Sequence, residues 1–414
     1  MDFLDLDINL SKEDMMLKKN ANEFARKVMR PIAKELDEMT PKAAIAKGSP
    51  FWTFMKEAYK LGYHSILIPD AYGGMGLTPL QQAIVYEELA WGSVGLAVAL
   101  GVASFPAFAA AMMPEDDMIN EILVPFCENK DATFIGCWGI TEPDHGSDTL
   151  IPHYPSFSDP AIPSQCVALP DGDDFILNGQ KSAWVSCGTI ATHCALFCQI
   201  DKARGHAGGG IFALPLNLHG IKKGAPLNKI GQRDLNQGEI FFDNVRVPGK
   251  YLIAGPEAYE PMLEIVLSST TALMGIFGTG VARAAFEEAL AYTKTRVQGG
   301  RALIEHRTVQ SKLFHMLRQV ETSRAISRAA YCYNLNTSTP AEEYSVIAKV
   351  HCTQAAFDVA NDAIQLFGGN GLTKEYLVEK LFRDARAMLI EDGSNDTLAI
   401  AGGHKIIHNY PRKD

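Results

Sequence analysis

The order of hydrophobic periods along this 414-residue chain predicts an α+β fold with a central β-domain between helical domains. Residues 11 to about 130 carry apolar side chains at helical spacing, as in Leu17, Phe24, Ala25 and Val28, and again in Leu80, Ala83, Ile84 and Trp91. From about 133 to 250 short β-rich runs alternate with turn residues, and from about 256 onward the helical period returns. Strands and helices do not alternate, which does not fit a doubly wound α/β fold. No G-x-G-x-x-G follows a first strand, so a Rossmann nicotinamide site is not expected.

In chain order, Ser11 reads as the N-cap of a first helix, with Glu13 and Asp14 favourably placed in its first turn. The stretch from Ile66 to Gly76 holds Pro69, Gly73, Gly74 and Gly76 and reads as a turn-rich connection. The β-rich runs begin at Phe134, Phe175, Ala195, Gly210 and Glu239, and the Asn178-Gly179 pair is a hairpin signal. Residues 151–164 contain four prolines and three serines, the composition of a surface loop. Beyond 256, Val281–Tyr292 and Ser345–Ala360 read as long amphipathic helices. The expected divisions are 1–132, 133–252 and 253–414.

Composition narrows the class. Apolar residues make up 47% and charged residues 21%, as in ordinary globular proteins. A net charge of -10 argues against a nucleic-acid or anionic-membrane surface. No apolar run reaches the roughly 20 residues a spanning helix requires. The acidic N-terminus lacks the basic region of a secretory signal. The eight cysteines form no C-x-x-C pair, which suggests reduced, buried thiols in a cytoplasmic protein. His193, Cys194 and Cys198 lie close in sequence, but no second ligand pair follows at finger spacing, so no metal site is expected.

Several segments, in order and over nearly the whole chain, resemble the acyl-CoA dehydrogenase family. They are Thr141-Glu-Pro-Asp-His-Gly-Ser-Asp148, Gly179-Gln-Lys-Ser-Ala-Trp-Val-Ser186, Gly231-Gln-Arg, Phe242-Asp-Asn-Val-Arg-Val-Pro248, Arg296, Gln365-Leu-Phe-Gly-Gly-Asn-Gly371 and Glu375-Tyr-Leu-Val-Glu-Lys-Leu-Phe-Arg-Asp-Ala385. The resemblance implies an N-terminal helical domain, a central β-barrel-like domain and a C-terminal four-helix bundle. It implies FAD, an acyl-CoA substrate, an electron-transfer flavoprotein or similar acceptor, and a homotetramer. A reduced flavin carries negative charge on its pyrimidine ring and needs donors there. By resemblance these come from Trp138, Ile140 and Thr141, with Ser147 near phosphate or CoA and with Trp184 and Ser186 beside the ring. Arg296, Gln365, Gly368 and Gly369 match the segment that reaches the dinucleotide of a neighbouring subunit; arginine's planar fork suits a pyrophosphate.

The reaction requires a carboxylate facing the thioester α-carbon. Most of the family carries a glutamate in Y-E-G-T for this. Here the stretch is Ile390-Glu-Asp-Gly-Ser394, so the base position falls on Asp392, with Glu391 the runner-up and Ser394 at the threonine position. Aspartate is one methylene shorter, a loss of roughly 1.5 Å of reach. The earlier-helix base of some members would fall near Thr270, which cannot serve. Arg296-Val-Gln-Gly-Gly300 has Gly299 where the family carries an aromatic, and the loop 150–164 looks longer than usual. Gly92–Ala103, small and uncharged, resembles the helix lining the acyl chain. With no arginine there, a dicarboxylic acyl group would lack a counter-charge, so a neutral branched or alicyclic group is expected. A flavin oxidase or monooxygenase on the same fold, and a non-catalytic acyl-CoA-binding scaffold, are the competing readings.

Overall fold

The computed structural model describes residues 9–410. The N-terminal region is helical from Lys12 to Glu128. Ser11 does cap the first helix, and the Asp14 side chain returns a bond to the Ser11 N–H, closing a capping box. Thr78 and Gln81 form the same device at the start of the helix Pro79–Gly92. That helix and its successor, Val94–Ala103, are buried nearly end to end.

The middle region is an eight-stranded mixed sheet. Its strands are β1 (Gly136–Gly139), β2 (Val167–Asp171), β3 (Asp174–Lys181), β4 (His193–Gln199), β5 (Gly209–Pro215), β6 (Ile221–Lys223), β7 (Ile240–Pro248) and β8 (Leu252–Ala254). The order is β6-β7-β3-β2-β4-β5-β8, with β1 parallel to β4. β2 meets β4 only at Val167 and Gln199. The two halves of the sheet therefore part beyond Gln199, next to the end of β1.

Two sequence expectations need correction here, and one, the surface loop, is refined. Asn178-Gly179 is not a turn but lies inside β3, at a bulge opposite β7. Gly179 has φ 134°, and a Cβ there would come within 2.6 Å of the Cys166 Cα, so the glycine serves close strand approach. The actual hairpin turn joins Asp171 to Asp174 through Gly172. The loop 151–164 is partly tucked in: Ile151 and Phe157 are buried, and His153 bonds Glu260 and Glu264. Finally, Val281–Tyr292 belongs to a 40-residue helix, Pro256–Thr295, that is buried on every side over residues 270–286 rather than on one face only. By length and composition that helix could cross a membrane, but 89% of its apolar window is buried inside the fold.

This central helix packs against Pro79–Gly92, Arg307–Leu335 and Glu342–Phe367. Two shorter helices, Val378–Met388 and Asn395–Asn409, complete the C-terminal region. Where the central helix meets the N-terminal helices, buried Glu87 accepts from Arg283 (2.7 Å), Arg324 (3.1 Å) and Arg328 (3.1 Å). Burial alone would raise its pKa, but the three guanidiniums outweigh it and hold the carboxyl well below the usual range.

Replacing Glu87 by Gln removes the one anion that all three guanidiniums share, leaving Arg283 with Glu88 and Arg324 with Glu321, and should cost about 3–5 kcal/mol in urea unfolding. The stabilisation from a depressed carboxyl pKa is full above the unfolded value of about 4.3 and falls as pH drops below it. Acid sensitivity below that pH should therefore be weaker in Glu87→Gln than in the parent. An unchanged urea midpoint would remove the cluster from the list of structural supports.

Candidate active site

The cleft begins where β1 ends. Past Gly139 the chain leaves the sheet, and the Thr141 carbonyl accepts the Ser182 N–H from the end of β3 at 2.8 Å. Lys181, buried, donates to the Ile140 carbonyl (3.0 Å) and to Glu142 (2.6 Å). Glu142 also accepts the N–H groups of Gln165 and Cys166. A fully buried ion pair thus fixes Ile140 and Thr141 at the cleft wall. The following turn is closed by His145 Nδ1 on Asp148 (2.7 Å) and by the Gly146 N–H on the same carboxylate (2.6 Å). His206 Nε2 lies 3.3 Å from Asp148. Burial would raise the Asp148 pKa; His206, His145 and the Gly146 N–H win and hold it well below the usual range. These three side chains are the only metal-capable group among the described residues; His145 Nδ1 is already bonded to Asp148, and His206 Nδ1 to Ser164.

The resulting cleft has a volume of about 910 Å³. Trp138, Ile140, Thr141, Ser147, Trp184, Ser186, Glu391 and Asp392 all line it. Trp184 is 58% exposed although it stands in the wall of a cavity, which leaves a large aromatic face open to a ligand. Near it the Ser182 hydroxyl is buried with no partner. Ser186 accepts from Gln237 Nε2 at 3.1 Å. Size, an open indole face and hydroxyls along one edge fit a planar aromatic cofactor with a polar rim.

Opposite stands the segment after Val378–Met388. Asp392 (φ 52°) and Gly393 (φ 97°) are consecutive left-handed residues that turn the chain into Asn395–Asn409. The Ser394 N–H donates to Ser147 Oγ at 2.9 Å, so Ser394 ties the two walls together but does not itself line the cleft. Glu391 is held by Gln232 Nε2 at 2.6 Å, while its other oxygen is buried and unpartnered. Asp392 is half-buried and accepts no hydrogen bond among the described residues. Burial, and then the Glu391 carboxylate, push the Asp392 pKa up to about 7; Lys349 opposes them. Burial also raises Glu391, against the pull of Gln232, Lys229 and Lys349.

Not every expected residue lies here. Arg296, Gln365, Gly368 and Gly369 are exposed and gather elsewhere, where Tyr292 stacks on Phe367 at 3.9 Å. They do not line the cleft of their own chain. Of Gly92–Ala103 only Val102 reaches the cleft; the rest is filled core. Thr270 bonds the Val266 carbonyl and lines a narrow apolar crevice beside Phe105 and Trp138. His193 stacks on Phe134 and forms no metal-capable cluster with Cys194 and Cys198. All eight cysteines are free. The sequence reading missed Lys229, Gln232, Gln237 and Glu239, which line the cleft. The Gly231-Gln-Arg segment carried a signal, but nothing in it told that Gln232 (φ 47°) turns its amide onto Glu391.

Three acyl-CoA dehydrogenase family models match in order: the N-terminal domain over 11–128, the middle domain over 137–245 and the C-terminal domain over 264–404. The glutaryl-CoA dehydrogenase of Desulfococcus multivorans is 30% identical over 396 residues, covering 94% of this chain and 95% of that protein. The solved butyryl-CoA dehydrogenase of Megasphaera elsdenii superposes with TM-score 0.85 at 26% identity, covering 99% of this chain and 100% of that one. A structure from work on the electron transferring flavoprotein of Acidaminococcus fermentans gives TM-score 0.85 at 28% identity, over 97% and 100% of the two chains. Matching end to end in sequence and in fold, the chain belongs to the acyl-CoA dehydrogenase family, a family of flavoprotein oxidoreductases.

Proposed function

We propose that this acyl-CoA dehydrogenase binds FAD against Trp138, Ile140, Thr141, Trp184 and Ser186 and oxidises a neutral acyl-CoA to its enoyl thioester, with Asp392 taking the α-proton. The observation that carries the reading is the contrast between the two cleft acids: Glu391 is tied to Gln232, whereas Asp392 faces the cavity with no bonded partner. A base has to be free to accept, and a pKa near the working pH balances ionisation against basicity. When bound, FAD supplies the hydride acceptor at N5. Ser147 and Ser394 hold the acid's turn against the wall that carries Thr141, which keeps donor and acceptor sides in register. No arginine lines the cleft among the described residues, and its lysine, Lys229, is tied to the Leu235 carbonyl and Gln237. A second carboxylate on the acyl group would lack a counter-charge there, so the reading favours a neutral acyl group, branched or alicyclic, matched to the shorter acid. Arg296, Gln365, Gly368 and Gly369 are assigned to a partner's dinucleotide within a homotetramer, and the electron acceptor to an electron-transfer flavoprotein.

Anaerobic bleaching of the flavin over a panel of straight, branched, alicyclic and dicarboxylic acyl-CoAs tests the class and the acyl preference together. Asp392→Asn should retain FAD and lose roughly 100-fold or more in bleaching rate, whereas Glu391→Gln should cost much less. The reverse pattern would transfer the base to Glu391. Rapid peroxide formation in air, matching dye-linked turnover, would move the protein to an oxidase.

Gly393→Ala should also be slow. A Cβ there meets Leu398 at 3.0 Å and strains a left-handed residue, and a shift of about 1 Å in the acid costs on the order of 100-fold. Full activity in this variant would mean that the turn does not set the acid's position. Arg296→Ala should lower FAD content together with oligomer size; a fully flavinylated monomer would refute the shared site.

A further inference from the structure

We propose that Lys349 is a positioning residue for the base: from the neighbouring helix it locks the turn that carries Asp392 and supplies the buried positive charge that keeps its carboxylate ionised. This rests on the reading of Asp392 as proton acceptor.

Lys349 projects from Glu342–Phe367 and is completely buried. Its ammonium donates to the Gly393 carbonyl at 2.6 Å and to Asn395 Oδ1 at 2.8 Å. Asn395 is in turn oriented by Thr353, to whose hydroxyl its Nδ2 donates at 3.0 Å. The lysine thus grips both sides of the residue that follows the Asp392-Gly393 turn. Two left-handed residues in a row are costly unless their surroundings hold them, and this grip is one such hold.

The choice of partners is the telling point. Other buried lysines bond carboxylates directly: Lys181 to Glu142, Lys380 to Asp384, Lys405 to Glu342. Lys349 bonds only neutral oxygens and makes no ion pair among the described residues. A buried ammonium without an anion in contact is expensive, and the anions its charge reaches are Asp392 and Glu391. Seen from Asp392, Glu391 beside it repels ionisation and Lys349 favours it. Lys229, from the loop before Gly231, acts on Glu391, Asp234 and Asp384; Lys380, on Val378–Met388, acts on Asp234, Asp384 and Asp37. Neither cation acts appreciably on Asp392. The positive charge at the base therefore comes from one side chain on a different helix.

The test is the pH dependence of anaerobic flavin reduction in FAD-loaded Lys349→Met, Asn395→Asp and Asp392→Asn, paired with infrared titration of the carboxylic-acid band that Asp392→Asn abolishes. In the parent both should turn near pH 7. Removing the ammonium should move both midpoints upward by about one pH unit or more. Asn395→Asp, which places an anion against the lysine, should move them the same way by less. Loosening of the turn alone would lower the rate at every pH and leave the midpoints in place. Unmoved midpoints in a folded Lys349→Met would overturn the proposal. If that variant does not fold, unmoved midpoints in Asn395→Asp would overturn it instead. Flavin reduction at the parental rate in Asp392→Asn would overturn the base assignment itself, whereas a stationary infrared midpoint overturns only the lysine.

Discussion

The 40-residue helix Pro256–Thr295 sets the constraint from which the architecture follows. Its middle, residues 265–282, carries no charge and has to be enclosed, and no single neighbour can cover it. The N-terminal helix Pro79–Gly92 takes one side, and Arg307–Leu335 and Glu342–Phe367 take others. Segments far apart in sequence are thereby locked to one element. The charges enclosed along its contact with the N-terminal helices are gathered where Glu87 meets Arg283, Arg324 and Arg328. Buried charge is tolerated there because every guanidinium shares the anion.

The cleft is a product of that enclosure rather than of any one region. One wall leaves the sheet at β1, where the sheet splits between β2 and β4. The other is the turn between the last two helices. They are joined by few bonds, the Ser394–Ser147 contact among them. The acid's side of the cleft is a reservoir of carboxylates and ammonium groups, and burial shifts several of them: Asp392 up to about 7, Lys229 and Lys349 down to about 8. Groups whose titration ranges converge near neutrality are what proton transfer at physiological pH calls for.

The sequence made the α+β order legible because the hydrophobic period changes from helical to alternating and back, and that change survives any error at element ends. Local motifs placed Trp138, Ile140, Thr141, Trp184, Ser186 and Asp392 on one cavity. What the sequence hid was geometry set by distant neighbours. Asn178-Gly179 has the composition of a hairpin, but pairing with β7 on one side and β2 on the other makes it strand interior. β2 went unread because Pro170 and Asp171 look like loop. Gly92–Ala103 looked like a ligand wall because small residues suit both a pocket and tight helix packing, and packing won. Gln232 and Lys349 were invisible because their roles depend on contacts 159 and 44 residues away.

The free cysteines add something about handling and lifetime. Seven of the eight are buried, and burial raises several thiols, Cys166, Cys187 and Cys352 to about 12. A thiol that cannot ionise is a poor nucleophile, so the folded state is its own antioxidant. Unfolding exposes them all at once, with thiol pKa values near the ordinary 8.5 or so, in a chain with no native disulfide to guide pairing. Oxidation of that species would trap scrambled, cross-linked chains. The durability of this protein in air therefore follows the population of the open state when refolding outpaces oxidation, and the rate of opening when it does not.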